Sequence, residues 1–238
     1  MKHIPGLREG HDAEELGHEF AKRGPWITQF TIEGKTYGGK QSFEEDVRIR
    51  WFFENFPDVH SILDLGSLEG GQTFQLAKHP DVNIVGVDGR RYNIKHAEFV
   101  QRVLGITNVK FILADLERCD ISRFGRFDCV FCSGVLYHLP EPWKLIEGVR
   151  RTSDKVFIWT HYADDEKAQE IRNGFRGLWY KEFGRKDRLS GLSSRSFWLS
   201  FQSLQDMLRQ YGFTRLKVVH NDPNSQPGPN TVIAAWAE

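Results

Sequence analysis

The sequence predicts an α/β fold, a doubly wound seven-stranded sheet that is mostly parallel with an antiparallel last strand. Three observations carry that expectation. From residue 61 onward, short continuous apolar runs alternate with segments of helical periodicity, the pattern of a parallel sheet covered by helices. The first run leads into a glycine turn, "SILDLGSLEGG" over residues 61–71. The last two runs are separated only by "NDPNSQPGPN", too short to hold a crossover helix, so they pair antiparallel.

In chain order the expected strands are residues 61–65, 83–88, 109–114, 127–132, 155–160, 215–220 and 231–236. Helices are expected between them. One covers about 72–78; another, 93–104, sets Ile94, Ala97, Val100, Val103 and Leu104 on one face and stops at Gly105. A third runs from Pro142 through about residue 150, with proline suited to a first helical turn. A fourth, 201–211, has Ser200 as N-cap, Gly212 as stop, and Leu204, Met207, Leu208 and Tyr211 at helical spacing. Residues 1–60 read as a covering segment with a helix over 43–56, residues 61–238 as the core, and about 163–197 as a lid or substrate insert.

Composition excludes several classes. In 238 residues, 32 Lys and Arg balance 32 Asp and Glu, so no global charge draws the chain to nucleic acid or anionic membrane. No apolar stretch is long enough to span a bilayer, and the N-terminus lacks an apolar signal core; a cytoplasmic protein without membrane partners is expected. Cys119, Cys129 and Cys132 form no disulfide framework. Cys129 and Cys132 do spell C-x-x-C, but within "FDCVFC" they read as core thiols of a strand.

The glycine turn lies where an open α/β sheet binds its ligand, beyond the carboxyl end of a strand. A pyrophosphate turn would place glycines at 66, 68 and 71. Position 68 is leucine, and Glu69 would set a carboxylate beside the phosphates, which is unfavourable. Acids suit a ligand that carries a sulfonium and an ammonium. With Asp64, Gly66 and Gly70 in "DLGSLEGG", the sequence resembles the class I S-adenosylmethionine-dependent methyltransferases, although Leu68 stands where that family most often has another glycine. The resemblance implies a Rossmann-like methyltransferase fold with S-adenosyl-L-methionine as cofactor. It places Asp64, Gly66, Ser67, Glu69 and Gly70 at the cofactor.

Asp88 ends the second strand about one βαβ step later, where a carboxylate holds two ribose hydroxyls, as it would for NAD too. In the family, the residue matching Asp115 in "ILADLE" accepts from the adenine amino group and that matching Leu116 offers its backbone amide; an Asx-turn is the alternative for Asp115. "FDCVFCSGVLYHLPEPWKLI" is similar to the fourth family motif, with Ser133, Gly134 and Val135 under the cofactor.

Methyl transfer from a sulfonium is an in-line displacement, so alignment dominates and a base is needed only when the acceptor must lose a proton. His161 and His138, just past strand ends, are the catalytic candidates; turn architecture is the alternative for His138. Scattered acids beside them make no metal-ligand pattern, so no metal is expected. Candidate acceptor contacts are Tyr37, Tyr137, Trp179, Tyr180 and Arg195, with Trp26 beside Tyr37 as a further wall and Arg48 or Arg50 for the methionine carboxylate. The insert mixes a basic surplus with aromatics. It reads as a lid with a solvated basic face, a pocket for an anionic or aromatic small molecule, or an RNA surface. The motif exit and "SFWLSFQSLQDMLRQYGF" are also similar to the tRNA wobble-uridine carboxymethyltransferases, which use a carboxylated form of the cofactor. The first expectation is methylation of an oxygen or nitrogen of a small molecule. RNA modification, an NAD-binding oxidoreductase and a noncatalytic scaffold are its rivals.

Overall fold

The computed structural model describes residues 13–237; the first twelve residues of the expected covering segment and Glu238 lie outside them. The described chain opens with α1 (Ala13–Arg23), β1 (Thr28–Ile32), β2 (Lys35–Gly38), β3 (Gln41–Ser42) and α2 (Val47–Asn55). The three strands form a small sheet of order β2-β1-β3. Helix α2 starts four residues later than expected. Glu45 takes the left-handed conformation at φ +57°, which interrupts a helix, and the Asp46 side chain then caps the new start by accepting from Arg48 N.

Next come β4 (Ser61–Leu65), α3 (Gly71–Leu76), β5 (Asn83–Asp88), α4 (Arg91–Leu104), β6 (Val109–Leu113), β7 (Cys129–Ser133), α5 (Pro142–Thr152) and β8 (Lys155–His161). Beyond β8 the expected insert contains a second small sheet of β9 (Glu170–Arg172), β10 (Phe175–Lys181) and β11 (Arg195–Leu199), in the order β11-β10-β9. The chain then closes with α6 (Phe201–Gln210), β12 (Arg215–Asp222) and β13 (Asn230–Trp236). Ser200 Oγ accepts from Ser203 N, the cap expected for α6, and Gly105 ends α4 at φ +63°.

The central sheet has seven strands in the order β12-β13-β8-β7-β4-β5-β6. Strands β4 to β8 pair parallel, and β13 runs antiparallel to both β8 and β12. From β4 the chain builds outward through β5 and β6, then returns to lay β7 on the other flank. The switch point, and hence the crevice, falls over the ends of β4 and β7.

Alternation along each strand divides the core between two faces. Leu63, Leu65, Val130, Cys132 and Ile158 face α5 and α6, whereas Ile62, Cys129, Phe131 and Phe157 pack with Phe52 and Phe56 from the α2 side. Cys129 and Cys132 therefore belong to opposite faces and make no joint site. Burial pushes both thiols up, Cys132 to about 12. No helix among the described residues is long and apolar enough to cross a membrane.

Candidate cofactor and acceptor site

The turn after β4 is built onto β5. Gly66 N and Ser67 N both donate to Val87 O, at 2.8 and 3.0 Å. Gly66 stands at φ +77°, and a Cβ there would lie 2.1 Å from Val135 Cγ2, so the loop after β7 approaches closely only because the side chain is absent. Leu68 takes the left-handed conformation, φ +50°, although it is not glycine. Its N–H donates to Asp88 Oδ2 at 3.1 Å. The departure from the family pattern thus keeps a glycine-like backbone.

Over the carboxyl ends of β4, β5 and β7 lies a cavity of about 690 Å³, a volume suited to a cofactor with a small acceptor. Asp64, Gly66, Ser67, Asp88, Leu116 and Ser133 line it, with Tyr137 and His138 beyond. Ser67 Oγ is buried without a hydrogen-bond partner among the described residues, the condition of a group built to meet a ligand. Asp88 is held in place by Arg90 N at 2.7 Å and Asn93 Nδ2 at 3.1 Å on Oδ1, besides Leu68 N on Oδ2. Burial pushes its carboxyl up to about 6 against these donors.

Asp64 accepts from Thr73 Oγ1 at 2.6 Å. Burial, with the Asp88 charge adding to it, pushes Asp64 up to about 7 despite the Thr73 hydrogen bond. A raised carboxyl holds a proton in the folded state that the unfolded chain has released, so stability falls as pH rises from about 4 towards 7. Asp64→Asn is expected to stabilise the ligand-free protein at pH 8, by up to about 4 kcal/mol, and to have little effect at pH 4. Urea unfolding at the two pH values checks this.

Other sequence-predicted residues lie away from the cavity lining. Glu69 is fully buried and faces the covering segment: Oε2 accepts from Ile27 N at 3.0 Å and Thr28 N at 2.7 Å, while Oε1 meets His96 Nδ1 at 2.9 Å and Arg188. Gly70, at φ +86°, caps α3 and leaves room for the Phe74 ring. Asp115 forms the Asx-turn, Oδ1 accepting from Glu117 N at 3.1 Å, and lines a neighbouring cavity with Arg90 and Arg185. His161 stacks on Trp198 at 5.3 Å, with Nδ1 2.9 Å from Gly228 O, and burial lowers its pKa. Tyr37 and Trp26 pack around Phe20, at 5.1 and 4.7 Å. On the insert, Arg195 lies over the Trp179 ring and Tyr180 stacks on Trp198.

Two features escaped the sequence reading. Trp159, in the middle of an apolar run, reaches the cavity with the Arg48 guanidinium 4.8 Å from its ring. Arg48 itself was expected there, but its fixing was not: Asp46 takes Nε at 2.9 Å and Nη2 at 2.6 Å, Gln72 Nε2 also donates to Asp46, and Nη1 donates to Ser133 Oγ at 3.1 Å. The second feature is an arginine clamp on the insert. Arg90 Nη2 donates to the carbonyls of Gly184, Asp187 and Ser190 at 3.0, 2.7 and 2.9 Å, and from the other side Arg188 reaches Asn93 Oδ1 at 3.1 Å and Glu69. Such pairing depends on the folded loop, and no spacing announces it.

The methyltransferase domain family matches residues 58–191. The chain belongs to that family. The class I resemblance and the seven-stranded architecture agree with it, and S-adenosylmethionine is the cofactor that this membership implies. Among solved structures, the N-terminal domain of EvdMO1, crystallised in the presence of SAH and D-fucose, matches with a TM-score of 0.87 and 36% identity over 95% of this chain and 97% of that one. Against the longer EvdMO1 chain the TM-score is 0.77 at 33% identity, over 95% of this chain and 48% of that one. The tRNA U34 carboxymethyltransferase of Campylobacter jejuni is 29% identical over 120 residues, 48% of this chain and 40% of that enzyme. The methyltransferase-domain chain thus aligns with less than half the length of the curated relatives it matches.

Proposed function

We propose that this methyltransferase transfers a methyl group to an oxygen or nitrogen of a small molecule, and that the acceptor is of monosaccharide size. The observation that carries this is the cavity of about 690 Å³ over the strand ends. Asp64, Asp88 and the orphan Ser67 hydroxyl line it, together with Trp159, Tyr137 and the fixed Arg48. S-adenosylmethionine, when bound, supplies an electrophilic methyl on a sulfonium. Asp88 is placed to accept from ribose hydroxyls, Asp64 to meet an ammonium, and Ser67 to hydrogen-bond the ligand that buries it. The remaining work is to enclose the acceptor, align it and exclude water, for which aromatic walls with a few fixed polar groups are suited. EvdMO1's N-terminal domain, crystallised in the presence of D-fucose, supports a sugar as the first acceptor to test.

The tRNA reading has the partial similarity to the Campylobacter enzyme in its favour. Against it, the net charge of the chain is zero, and part of the insert's basic set is engaged within the fold: Arg172 and Arg195 lie over Trp179, Arg176 donates to Ala168 O, and Arg188 pairs with Glu69, while Lys181, Arg185 and Lys186 stay exposed. Incubation with S-adenosylmethionine and D-fucose is expected to give methylated sugar and S-adenosylhomocysteine by mass spectrometry. Transfer to tRNA transcripts with none to sugars would overturn the proposal in favour of RNA.

A further inference from the structure

Among the histidines that follow the sheet's strands, His138 lines the cavity and is held by a carboxylate from another part of the chain. It closes a short turn, Leu136–His138, just beyond β7. Its Nδ1 lies 3.0 Å from Oε1 of Glu182, which follows β10 in the insert. Glu182 is 5% exposed and engaged on both oxygens: Ser196 Oγ donates to Oε1 at 2.8 Å, while Gly191 N, at 2.9 Å, and Ser190 Oγ donate to Oε2. Burial opposes its ionisation, but the hydrogen bonds from His138, Ser190 and Gly191 outweigh it and hold the carboxyl down to about 2. A carboxylate so fixed accepts the Nδ1 proton. It leaves Nε2 as the basic nitrogen of the ring, and Nε2 has no hydrogen bond among the described residues.

We infer that His138 is the general base of the methyl transfer and Glu182 its positioning residue, so that the acceptor atom is a hydroxyl oxygen that must lose its proton. The inference rests on the methyl-transfer reading above and narrows it from oxygen or nitrogen to an alcohol. An amine that arrives as the free base attacks without prior loss of a proton, whereas an aliphatic hydroxyl is a poor nucleophile until its proton leaves. As the new O–C bond forms from an oxygen lone pair, the O–H proton passes to His138 Nε2 and the O–H pair stays on oxygen. The methyl–sulfur bond breaks with its pair left on the thioether sulfur, and the proton later leaves the imidazolium for solvent. The base is assembled from core and insert together: Phe197 N of β11 donates to Leu139 O at 2.9 Å, beside the His138 turn.

The charged and titratable surroundings are consistent with this role. Glu182 faces the ring from the insert. Tyr137 stacks beside it at 4.1 Å, its phenol pKa raised by burial, and His161 lies 4.8 Å beyond Tyr137 with its pKa lowered. Arg48 acts from the α2 side on Tyr137, and Tyr180 from the insert.

The test combines nitrogen NMR of histidine-labelled protein, saturated with S-adenosylhomocysteine, with methyl transfer to D-fucose. The His138 ring, assigned by loss of its signals in His138→Gln, is expected as the Nδ1–H tautomer. In Glu182→Gln the Nδ1–H tautomer is expected to lose its dominance to Nε2–H, because the lost carboxylate no longer holds the Nδ1 proton. Turnover is expected to fall about 100-fold or more in His138→Gln and by less in Glu182→Gln, with S-adenosylhomocysteine affinity within about twofold of wild type in both. An Nε2–H tautomer in the wild type, a tautomer unchanged in Glu182→Gln, or wild-type turnover in His138→Gln would overturn the inference. The wild-type tautomer measurement does not depend on Glu182→Gln, so it decides the case even where that variant does not fold. Failure of the wild type to bind S-adenosylhomocysteine would instead strike the methyl-transfer reading, and failure to methylate D-fucose with that binding intact would strike the choice of sugar.

Discussion

Asp88→Ala is expected to weaken S-adenosylhomocysteine binding by about 100-fold or more, roughly 3 kcal/mol, the loss of charge-assisted hydrogen bonds to a buried ligand. Asp88 is 7% exposed, and its position is fixed by Leu68 N, Arg90 N and Asn93 Nδ2, so alanine removes the acceptor proposed for the ribose and also leaves those donors unpaired. Asp88→Asn keeps the shape and is expected to fall between the two. The carboxyl titrates at about 6, above its ordinary value, and the ionised form is the better acceptor. Affinity is therefore expected to drop as pH falls below about 6 in the wild type, with the Asp88 share of that dependence gone in the alanine variant. Calorimetry at pH 5.5 and 8 measures both effects.

The largest effect on stability is expected from Glu69→Ala, at about 3–5 kcal/mol, measured by urea unfolding at pH 7. One carboxylate joins four parts of the chain: the amides of Ile27 and Thr28 in the covering segment, His96 on α4, Arg188 in the insert and the turn itself. Truncation leaves the partly buried Arg188 against Asn93 without its counter-charge and strands two backbone donors. Burial opposes the charge on Glu69, yet the hydrogen bonds from His96, Thr28 N and Arg188 outweigh it and lower the pKa. Depression means that this contribution is fully present above the ordinary Glu value and is lost as pH falls through the folded-state value. Glu69→Gln keeps an acceptor for the amides and is expected to cost less.

These two acids show where reading the chain succeeded and where it stopped. The succession of core strands along the chain and the reversed end were legible, because periodicity and a connection too short for a helix are local facts, and β13 does run antiparallel beside β12 and β8. The convergence of Asp64, Ser67 and Asp88 on one cavity was legible, because strand ends in a parallel sheet must converge there. Glu69 was assigned to the ligand by its place in the turn, yet its side chain turns to the covering segment. Only the folded course of residues 27 and 28 explains that orientation. The same limit applied to the insert, where the aromatic and basic pattern drew attention to Trp179, Tyr180 and Arg195. The residues that close on the cavity are instead Arg188, Ser190 and Leu192, in a loop held by Arg90 carbonyl contacts. Glu182 reads as one acid in a basic segment until the fold brings it to His138.

The most direct test of the central claim is calorimetric titration of the purified protein with S-adenosylhomocysteine and, separately, with NAD. Micromolar binding of S-adenosylhomocysteine with no heat from NAD is the predicted result, since the cavity beside the Gly66 turn holds Asp64 and the orphan Ser67 hydroxyl, and the turn carries Leu68 where a dinucleotide cradle needs glycine. Binding of NAD with none of S-adenosylhomocysteine would contradict it, and the methyl-transfer account would fall with it.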